Sequence, residues 1–414
     1  MDNKRIVVGL DIGTTKIDVI IGEVSDNFDV RIVGVGTSPS DGLRKGVVVN
    51  IDATVKSIQK AVEEAELMAG IDVKDVYVGV AGKHIKSLTA RGIVAVTSRG
   101  NEITHADVRR VIEQASTINL PTDREIVHVI PQGYAVDDQT GIKDPVGMNG
   151  VRLEGDVHIV TANTSSIQNI YKSVERAGIK VADIVLQPLA SSYAVLEKDE
   201  RELGVAVLDI GGGTTDLAIF IDDSIRYTNC LDLGGENVTN DVAMGISTPR
   251  ERAEEIKKKW GACTISSLIR DEYVTVPGVA GREDKQVSKE FLAKIVRARM
   301  AEIFQLVAKD IQRTKLREKI GAGLVLTGGC ATIRGATELA EEVFKMPVKL
   351  GIPKTTSGLA DTIGSPLHAT GLGLVMYGVQ KMKQEEAEFG SAGSKAQGFL
   401  ETVKKFALTL KNYI

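Results

Sequence analysis

Cysteine and aromatic residues are scarce in this sequence, and long apolar runs are missing from it. The three cysteines stand far apart without CxxC spacing, so we interpret them as small buried residues rather than metal ligands. Their odd number and the missing secretory signal predict a reducing, cytoplasmic environment. Aromatic residues make up only 4% and the net charge is −4, so neither base stacking nor global charge favours a nucleic-acid partner. No apolar run approaches the ~20 residues that span a bilayer.

The overall composition is typical of a soluble globular protein. Hydrophobic residues account for 43% and charged residues for 26% of the 414 positions. At roughly 150 residues per domain, this length predicts two to four domains with a large buried core.

Two glycine-rich loops, about half the chain apart, carry the clearest chemical signal. The first reads Asp11-Ile12-Gly13-Thr14-Thr15-Lys16, and the second reads Asp209-Ile210-Gly211-Gly212-Gly213-Thr214-Thr215-Asp216. Each joins two strand-like runs, as in a β-hairpin. Glycines let backbone N–H groups approach a phosphate, hydroxyls add donors, and an aspartate can hold a hydrated divalent cation. A tight turn would explain one such loop, but the pair favours duplicated halves that close on one nucleotide.

Three further features are candidates for the same site, and each has an ordinary structural alternative. The turn Thr327-Gly328-Gly329 follows a buried strand and could lie beneath a base and ribose, or be a plain turn. Glu254 and Lys257 are one helical turn apart and could contact adenine and ribose, or form a solvated ion pair. Gln187 lies at a strand-to-helix junction, where it could orient a water toward a γ-phosphate or cap the helix.

One plan is repeated in the two halves of the chain, and each half carries an insertion. Between about residues 83 and 160, two alternating segments flank a helix capped by Thr104, which indicates an inserted α+β subdomain. The insertion of the second half is largely helical and includes a long amphipathic stretch, Lys289–Leu316. The other predicted elements are strands at Arg5–Leu10, Ile17–Val24, Val73–Val80, Gly204–Asp209, Leu217–Ile221 and Gly323–Leu326, and helices at Ala53–Ala69 (capped by Asp52), Ser165–Ala177, Pro188–Leu196 and Arg250–Trp260.

The last seventeen residues, 398–414, have apolar side chains at helical spacing and follow a polar stretch that we interpret as a linker. A helix docked on the protein body or on a partner is one explanation of this pattern. The linker and the small positive charge favour instead an amphipathic helix that lies in a membrane interface. The residues expected at that interface are Phe399, Leu400, Val403, Lys404, Lys405, Phe406, Leu410 and Lys411.

Four further stretches indicate one protein family more specifically than the two loops do. They are His128-Val129-Ile130-Pro131-Gln132-Gly133-Tyr134, Asp144-Pro145-Val146-Gly147-Met148, Leu189-Ala190-Ser191-Ser192-Tyr193 and Leu326-Thr327-Gly328-Gly329. With these stretches, the two loops and the amphipathic C-terminus, the chain resembles the FtsA family of bacterial actin-like cell-division proteins. That family is part of the actin/Hsp70/sugar-kinase ATPase superfamily.

The resemblance implies an α/β, actin-like (ribonuclease H-like) duplicated two-lobe ATPase fold, with an inserted α+β subdomain and a C-terminal amphipathic helix. The implied subdomains are 1A (1–82 and 161–203), 1C (83–160), 2A (204–236 and 319–380) and 2B (237–318), followed by a linker (381–397) and a membrane-targeting helix (398–414).

ATP and Mg²⁺ are the cofactors that the resemblance implies. By position, Asp11, Gly13, Thr14, Thr15 and Lys16 would hold the β- and γ-phosphates, and Asp209, Gly211, Gly212, Gly213 and Thr214 would form the second clamp. Asp11 and Asp209 would hold Mg²⁺ mainly through water. Gly235, Glu254, Lys257, Gly328 and Gly329 would frame the adenosine. Gln187 matches the water-orienting glutamine of actin, but several FtsA-type chains have no such residue, so hydrolysis is expected to be slow at most.

The family's role implies a partner and a location. Such a protein polymerises, binds the tubulin-like GTPase FtsZ through subdomain 2B, tethers FtsZ filaments to the cytoplasmic face of the membrane at the septum, and recruits later division proteins. The alternative from another class is a small-molecule, sugar-type kinase of the same superfamily. A kinase would need a carboxylate base near the γ-phosphate and a closed substrate pocket, and it has no use for a lipid-binding tail.

Overall fold

The computed structural model describes residues 5–264, 272–278, 283–354 and 357–391. Its first lobe begins with two long strands joined by the first glycine-rich loop. The elements up to the insertion are β1 (Arg5–Ile12), β2 (Lys16–Val24), β3 (Val30–Pro39), β4 (Leu43–Arg44), β5 (Val47–Val48), α1 (Ile51–Ala69) and β6 (Asp75–Val80).

An inserted subdomain with one four-stranded sheet follows β6. Its elements are β7 (Lys86–Ala95), α2 (His105–Ser116), β8 (Arg124–Val136), β9 (Gln139–Ile142) and β10 (Arg152–Asn163). The strand order is β7-β10-β8-β9, with β10 antiparallel to both of its neighbours. Helix α2 begins with a capping box, in which Thr104 and Asp107 satisfy each other's backbone N–H groups.

After the insertion the chain completes the sheet of the first lobe. The elements are α3 (Thr164–Arg176), β11 (Lys180–Leu186), α4 (Gln187–Val195) and α5 (Lys198–Leu203). The sheet has the order β11-β6-β1-β2-β3, in which β1 is antiparallel to β2 and parallel to β6.

The second lobe has a five-stranded sheet of the same design. Its elements are β12 (Val205–Ile210), β13 (Thr215–Ile221), β14 (Ser224–Leu231), α6 (Gly235–Gly245), α7 (Arg250–Trp260), β15 (Tyr273–Val276), β16 (Lys285–Ser288), α8 (Lys289–Thr314), β17 (Leu324–Thr327), α9 (Ala336–Phe344), β18 (Val348–Leu350), α10 (Ala360–Ile363) and α11 (Ala369–Ser391). Short 3₁₀ turns lie at Arg317–Lys319, Gly329–Thr332 and Pro366–His368.

The two lobes are duplicates in topology. The second sheet has the order β14-β13-β12-β17-β18. When the strands of each sheet are numbered along the chain, this is the order of the first sheet read from its opposite edge. The hairpins match residue by residue, because Asp11 pairs with Asp18 in one and Asp209 pairs with Asp216 in the other. The duplicated two-lobe α/β architecture with an inserted α+β unit, as the sequence predicts, is confirmed; the residue boundaries of the subdomains remain predictions.

Helices α4 and α11 join the lobes through a shared apolar core. Helix α11 packs on β1, β2 and β6 of the first lobe and on α4, and α4 in turn packs on β12, β13 and β17 of the second lobe. One cluster of buried side chains therefore runs through both lobes, from Ile20 through Leu189 and Leu374 to Val207. Because this core lies behind the two glycine-rich loops, it fixes how closely they approach.

Two details differ from the sequence-based expectations. The N-cap of α1 is Asn50, whose side chain accepts from the Ala53 N–H group, and Asp52 lies inside the first turn. Helix α11 continues to Ser391, so the first residues of the predicted linker are helical; Lys381 there forms an ion pair with Asp183 at 2.6 Å. The predicted amphipathic helix 398–414 lies outside the described residues. Within the described ranges, no helix combines the length and apolar character needed to span a bilayer.

Buried histidines attach the inserted subdomain to its surroundings. His158 on β10 lies 3.0 Å from the Thr228 hydroxyl on β14, and His128 on β8 accepts from the Leu186 N–H group at 3.0 Å. Burial lowers the pKa of each imidazole to about 4, so both rings are neutral at pH 7.

This burial predicts an acid-sensitive stability. The folded-state pKa lies below the ordinary value of about 6.5, so the stabilisation from these histidines is complete above pH 6.5 and is lost as the pH falls from 6.5 to 4. The limiting slope is about 1.4 kcal/mol per pH unit for each histidine. Urea unfolding between pH 7.5 and 4.5 measures it. We expect the double variant His128→Gln, His158→Gln to flatten the profile and His105→Gln, at an exposed histidine of the same subdomain, to leave it unchanged. Equal slopes for all three proteins would contradict this account.

Candidate functional site

The two glycine-rich loops meet between the lobes. Each is closed by the same hydrogen bond: the Gly13 N–H group donates to Lys16 O, and the Gly211 N–H group donates to Thr214 O, both at 3.0 Å. A Cβ atom on Gly212 would lie 2.3 Å from Thr15 Cγ2, and one on Gly213 would lie 2.6 Å from Thr14 Oγ1. The loops therefore touch, and their contact leaves no space for side chains at these two glycines.

Asp11 lies at the end of β1, at the floor of this cleft. The Gln187 amide donates to Asp11 Oδ1 at 2.7 Å, which brings the first residue of α4 to the first loop. Gly79 leaves the space for this pair, since a Cβ atom there would lie 3.1 Å from Gln187 Cγ. Burial, and after it the charge of Asp18, raises the pKa of Asp11 to about 8. A carboxylate in this position is stabilised by any cation that enters the cleft.

Asp209 occupies the equivalent position at the end of β12. Its Oδ2 atom accepts from the Ser191 hydroxyl at 2.7 Å and from the Thr370 hydroxyl at 3.1 Å. Burial raises the pKa of Asp209, and these two hydrogen bonds oppose the shift. Ser191 is on α4 and Thr370 is on α11, so the two helices that join the lobes also orient this carboxylate.

A second pair of aspartates, which the sequence analysis missed as site residues, lies beside the first. Asp18 Oδ1 forms an ion pair with Lys16 Nζ at 3.2 Å without hydrogen-bond geometry, and Asp18 Oδ2 lies 2.8 Å from His368 Nδ1. Asp216 is its counterpart, and burial raises its pKa to about 7. The missed signal was the repeat itself, because each aspartate follows its loop aspartate by the same number of residues in both hairpins.

The predicted adenosine side forms a compact cluster around the start of α6. Lys257 Nζ lies 2.6 Å from Glu254 Oε2 and donates to Gly235 O at 3.1 Å and to the Thr239 hydroxyl at 2.9 Å. Burial raises the pKa of the Glu254 carboxyl, but the charge and hydrogen bond of Lys257 outweigh it, so the net shift is downward. The pair is therefore not the solvated ion pair of the alternative interpretation, because Lys257 is buried.

The start of α6 also holds the second loop in place. The Gly235 N–H group donates to Gly211 O at 2.9 Å, and the Glu236 N–H group donates to Gly212 O at 2.7 Å. Gly235 has no room for a side chain, because a Cβ atom would lie 2.7 Å from Cys330 Sγ. The N–H groups of Gly235 and Glu236 thus hold the carbonyl groups of Gly211 and Gly212 in a fixed direction.

Gly328 closes the second lobe beneath Asp209. Its φ of +84° is a left-handed conformation that favours glycine, and a Cβ atom would lie 2.3 Å from Asp209 Oδ1. Gly329 follows as the first residue of a 3₁₀ turn. The turn predicted to carry a base and ribose therefore lies next to the second loop.

The cleft offers carboxylate oxygens from both hairpins, at Asp11 and at Asp209. Within the described part of the chain, no three carboxylate, histidine or cysteine side chains converge as a metal site. Carboxylate oxygens are nevertheless the ligands that Mg²⁺ prefers, commonly with several waters kept. The candidates Asp11, Gly13, Thr14, Thr15, Lys16, Gln187, Asp209, Gly211, Gly212, Gly213 and Thr214 lie along the two loops or contact them. Their functional roles stay predictions, and the candidates for the membrane, Phe399 to Lys411, lie outside the described residues.

Comparisons with protein families agree in two parts of the chain. A family model described as cell division protein FtsA matches residues 206–373, and one described as an SHS2 domain inserted in FtsA matches residues 82–161. The cell division protein FtsA of Pseudomonas aeruginosa is 48% identical over 378 residues, which is 91% of this chain and 90% of that protein. The FtsA of Neisseria meningitidis is 44% identical over 373 residues, which is 90% of each chain.

Solved structures resemble the fold at low sequence identity. A PilM–PilN type IV pilus biogenesis complex has a TM-score of 0.63 at 17% identity, covering 90% of this chain and 98% of that one. MreB 5 of Spiroplasma citri bound to AMPPNP has a TM-score of 0.57 at 16% identity, with 93% and 99% covered. A MamK double helical filament has a TM-score of 0.52 at 13% identity, with 90% and 98% covered. These likenesses confirm the predicted actin-like fold.

Alanine substitutions at Gly328 and at Gly211 test whether the close contact between Gly328 and Asp209 constrains the second lobe. Gly328→Ala places a methyl group against Asp209 in a left-handed conformation, so we expect a loss of about 1–3 kcal/mol in the free energy of unfolding. Gly211→Ala is the matched control, because the nearest atom to its Cβ is Thr214 O at 3.6 Å. Chemical denaturation measures both variants. Equal stability of the two would show that the contact between Gly328 and Asp209 does not constrain the second lobe.

Proposed function

The chain belongs to the FtsA family of cell-division proteins, and from that membership we propose that it is an ATP-binding, polymerising adaptor. In this proposal it tethers filaments of the tubulin-like GTPase FtsZ to the cytoplasmic face of the membrane at the septum and recruits later division proteins. The observation that carries the proposal is the convergence of the two equivalent glycine-rich loops between the lobes.

ATP would bind with its phosphates between the loops. Gly13, Thr14, Thr15 and Lys16 would contact the phosphates from the first lobe, and Gly211, Gly212, Gly213 and Thr214 would do so from the second. Because the loops touch in this structure, entry of the nucleotide requires the lobes to part slightly at the cleft. Gly235, Glu254, Lys257, Gly328 and Gly329 would frame the adenosine. The nucleotide-bound MreB 5 structure supports this placement at the level of fold.

Mg²⁺ would be held by Asp11 and Asp209, mainly through water. The raised pKa of Asp11 means that its ionised form is unfavourable without a nearby positive charge, and a bound cation would supply that charge. The cation would neutralise the phosphates when bound. Asp209 is held by Ser191 and Thr370, so its free oxygen, Oδ1, keeps a fixed direction.

Gln187 would lie near the terminal phosphate because its amide contacts Asp11. In this proposal its amide orients a water molecule at that end of the cleft. A glutamine can orient a water without removing its proton, so hydrolysis would be slow and nucleotide binding would matter mainly for the order of the subunits.

Substitution of Asp209 tests the nucleotide site. Asp209→Asn removes a charge that would hold the hydrated cation, so we expect Mg·ATP to bind about 10- to 100-fold more weakly by isothermal titration. Asp222→Asn, at an exposed residue in the turn after β13, is the matched control and should bind as the wild type does. Unchanged affinity in Asp209→Asn, with the fold intact by circular dichroism, would remove Asp209 from the site.

The membrane contact would come from residues 398–414 acting in groups. One short amphipathic helix with a small positive charge binds a bilayer only marginally. A filament presents many such segments together, and the high effective concentration converts weak contacts into stable attachment. The MamK filament, a structure of similar fold, supports self-association at the level of fold. FtsZ would bind to the 237–318 subdomain, which is separate in sequence from the tail at 398–414.

Vesicle sedimentation with FtsZ tests the tether. With phosphatidylglycerol–phosphatidylethanolamine vesicles and ATP, we expect the full chain to carry FtsZ polymers into the lipid fraction and a chain ending at residue 397 to leave them behind. The variant Phe399→Ser, Phe406→Ser should behave like the truncation, because it removes two apolar anchors. Thr409→Ser, which keeps the apolar residues, should behave like the wild type. Sedimentation that is independent of residues 398–414 would rule out the proposed tether.

A further inference from the structure

The segment His128–Tyr134, which the sequence analysis singled out, connects the inserted subdomain to both lobes. It lies in β8, next to the central strand β10 of the inserted sheet. Two of its side chains leave the subdomain to make buried hydrogen bonds elsewhere: His128 bonds toward the first lobe, and Gln132 bonds toward the second.

His128 reaches the residue that precedes Gln187. Its Nε2 atom accepts from the Leu186 N–H group at 3.0 Å, and the ring is buried. Leu186 is the N-cap of α4, and its own side chain makes no capping hydrogen bond. Because Gln187 is the next residue and donates to Asp11, His128 is one peptide unit away from the side chain at the cleft. The imidazole therefore fixes the backbone from which Gln187 projects.

Gln132 reaches the edge strand of the second sheet. Its amide donates to Ile225 O on β14 at 2.7 Å, and only 5% of the residue is exposed. Two neighbouring contacts support this one, since Ser87 Oγ donates to Thr228 O at 3.1 Å and His158 contacts the Thr228 hydroxyl. Strand β14 pairs with β13, which begins directly after the second loop. Ile225 pairs with Phe220 near the end of β13 away from the second loop, and Thr228 pairs with Ala218 in the middle of that strand. The inserted subdomain is thus attached to the second lobe along β14.

A cavity of about 230 Å³ lies between β7, the start of α4 and β14, and its walls include Leu186 and Pro188, which flank Gln187. Apolar contacts accompany these hydrogen bonds, because Val160 and Ile130 of the inserted sheet pack in the cluster that also contains Leu186 and Ile225. A displacement of the inserted subdomain would therefore disturb both lobes at once. The position of the inserted subdomain and the separation of the lobes can therefore change together.

We propose that His128 and Gln132 are positioning residues that couple the inserted subdomain to the γ-phosphate end of the cleft, His128 by holding the start of α4 behind Gln187 and Gln132 by holding β14. This inference rests on the proposed ATP site. Coupling of this kind is reciprocal: ATP changes the attachment of the inserted subdomain, and a partner bound to the inserted subdomain changes the affinity for ATP by the same factor.

The affinities for ATP and ADP separate positioning from a structural role. His128→Leu removes the acceptor, so we expect ATP to bind about 5- to 30-fold more weakly while ADP, which has no γ-phosphate, changes less than about 2-fold. His128→Gln offers an amide oxygen near the position of Nε2 and should restore ATP binding to within about 3-fold of wild type. His105→Leu, at an exposed histidine on α2, is the matched control and should change neither affinity.

Hydrogen exchange tests the Gln132 attachment. In the wild type we expect ATP to slow amide exchange in β14 and in β7 relative to ADP. In Gln132→Leu the difference between ATP and ADP should disappear, whereas Gln139→Leu, at an exposed glutamine on β9, should keep it. Gln132→Glu, which keeps the size but loses the donor, should behave like Gln132→Leu, and this second variant guards against a packing effect of the leucine.

The outcomes distinguish this inference from the proposed function. A wild-type protein that binds no ATP overturns both. A wild type that binds ATP, together with His128→Leu that binds ATP and ADP as the wild type does, overturns the inference alone. Equal weakening of ATP and ADP in His128→Leu, or failure of His128→Gln to restore ATP binding, assigns His128 to fold stability and likewise overturns the inference.

Discussion

The burial of aspartates in the two equivalent hairpins is the constraint on which the cleft depends. Asp11 pairs with Asp18 in one hairpin and Asp209 pairs with Asp216 in the other, and burial, followed by the charges of neighbouring aspartates, raises the pKa of Asp11 and of Asp216. Hydrogen bonds from Ser191 and Thr370 and the contacts of Lys16 and His368 offset part of this cost. A site built in this way favours an added cation, and a nucleotide that brings one would complete it.

The helices between the lobes connect this electrostatic requirement to the rest of the fold. Helix α4 supplies Gln187 to Asp11 and Ser191 to Asp209, and α11 supplies Thr370. Both helices also contribute buried side chains to the apolar core between the two sheets. Because the same elements pack the core and orient the carboxylates, the lobes cannot separate without moving the groups at the cleft. This is the structural reason why a small ligand could set the arrangement of the whole molecule.

The inserted subdomain differs from the lobes in how it is held. Its contacts with β14 combine several hydrogen bonds beside a cavity with the apolar packing of Val160 and Ile130. Apolar packing is insensitive to direction, but a buried hydrogen bond is lost over a small displacement and leaves an unsatisfied group. The subdomain is therefore attached firmly in one position only, which suits a unit that responds to the state of the cleft.

Local patterns predicted β1, β2, β6, β12, β13 and β17, several helices and the paired loops, because alternation, helical spacing and glycine placement are local signals. Strands such as β3, β11 and β14 were not predicted. The same signals missed α11 and placed its last residues, 381–391, in the linker, because their polar composition outweighed the high helix propensity of Lys, Glu, Gln and Met. The contacts between distant residues, such as His368 with Asp18, Ser191 with Asp209 and His128 with Leu186, arise from the packing of the folded chain. Such contacts depend on how two sheets and two helices pack, and no local pattern records the distance between residues that packing alone brings together.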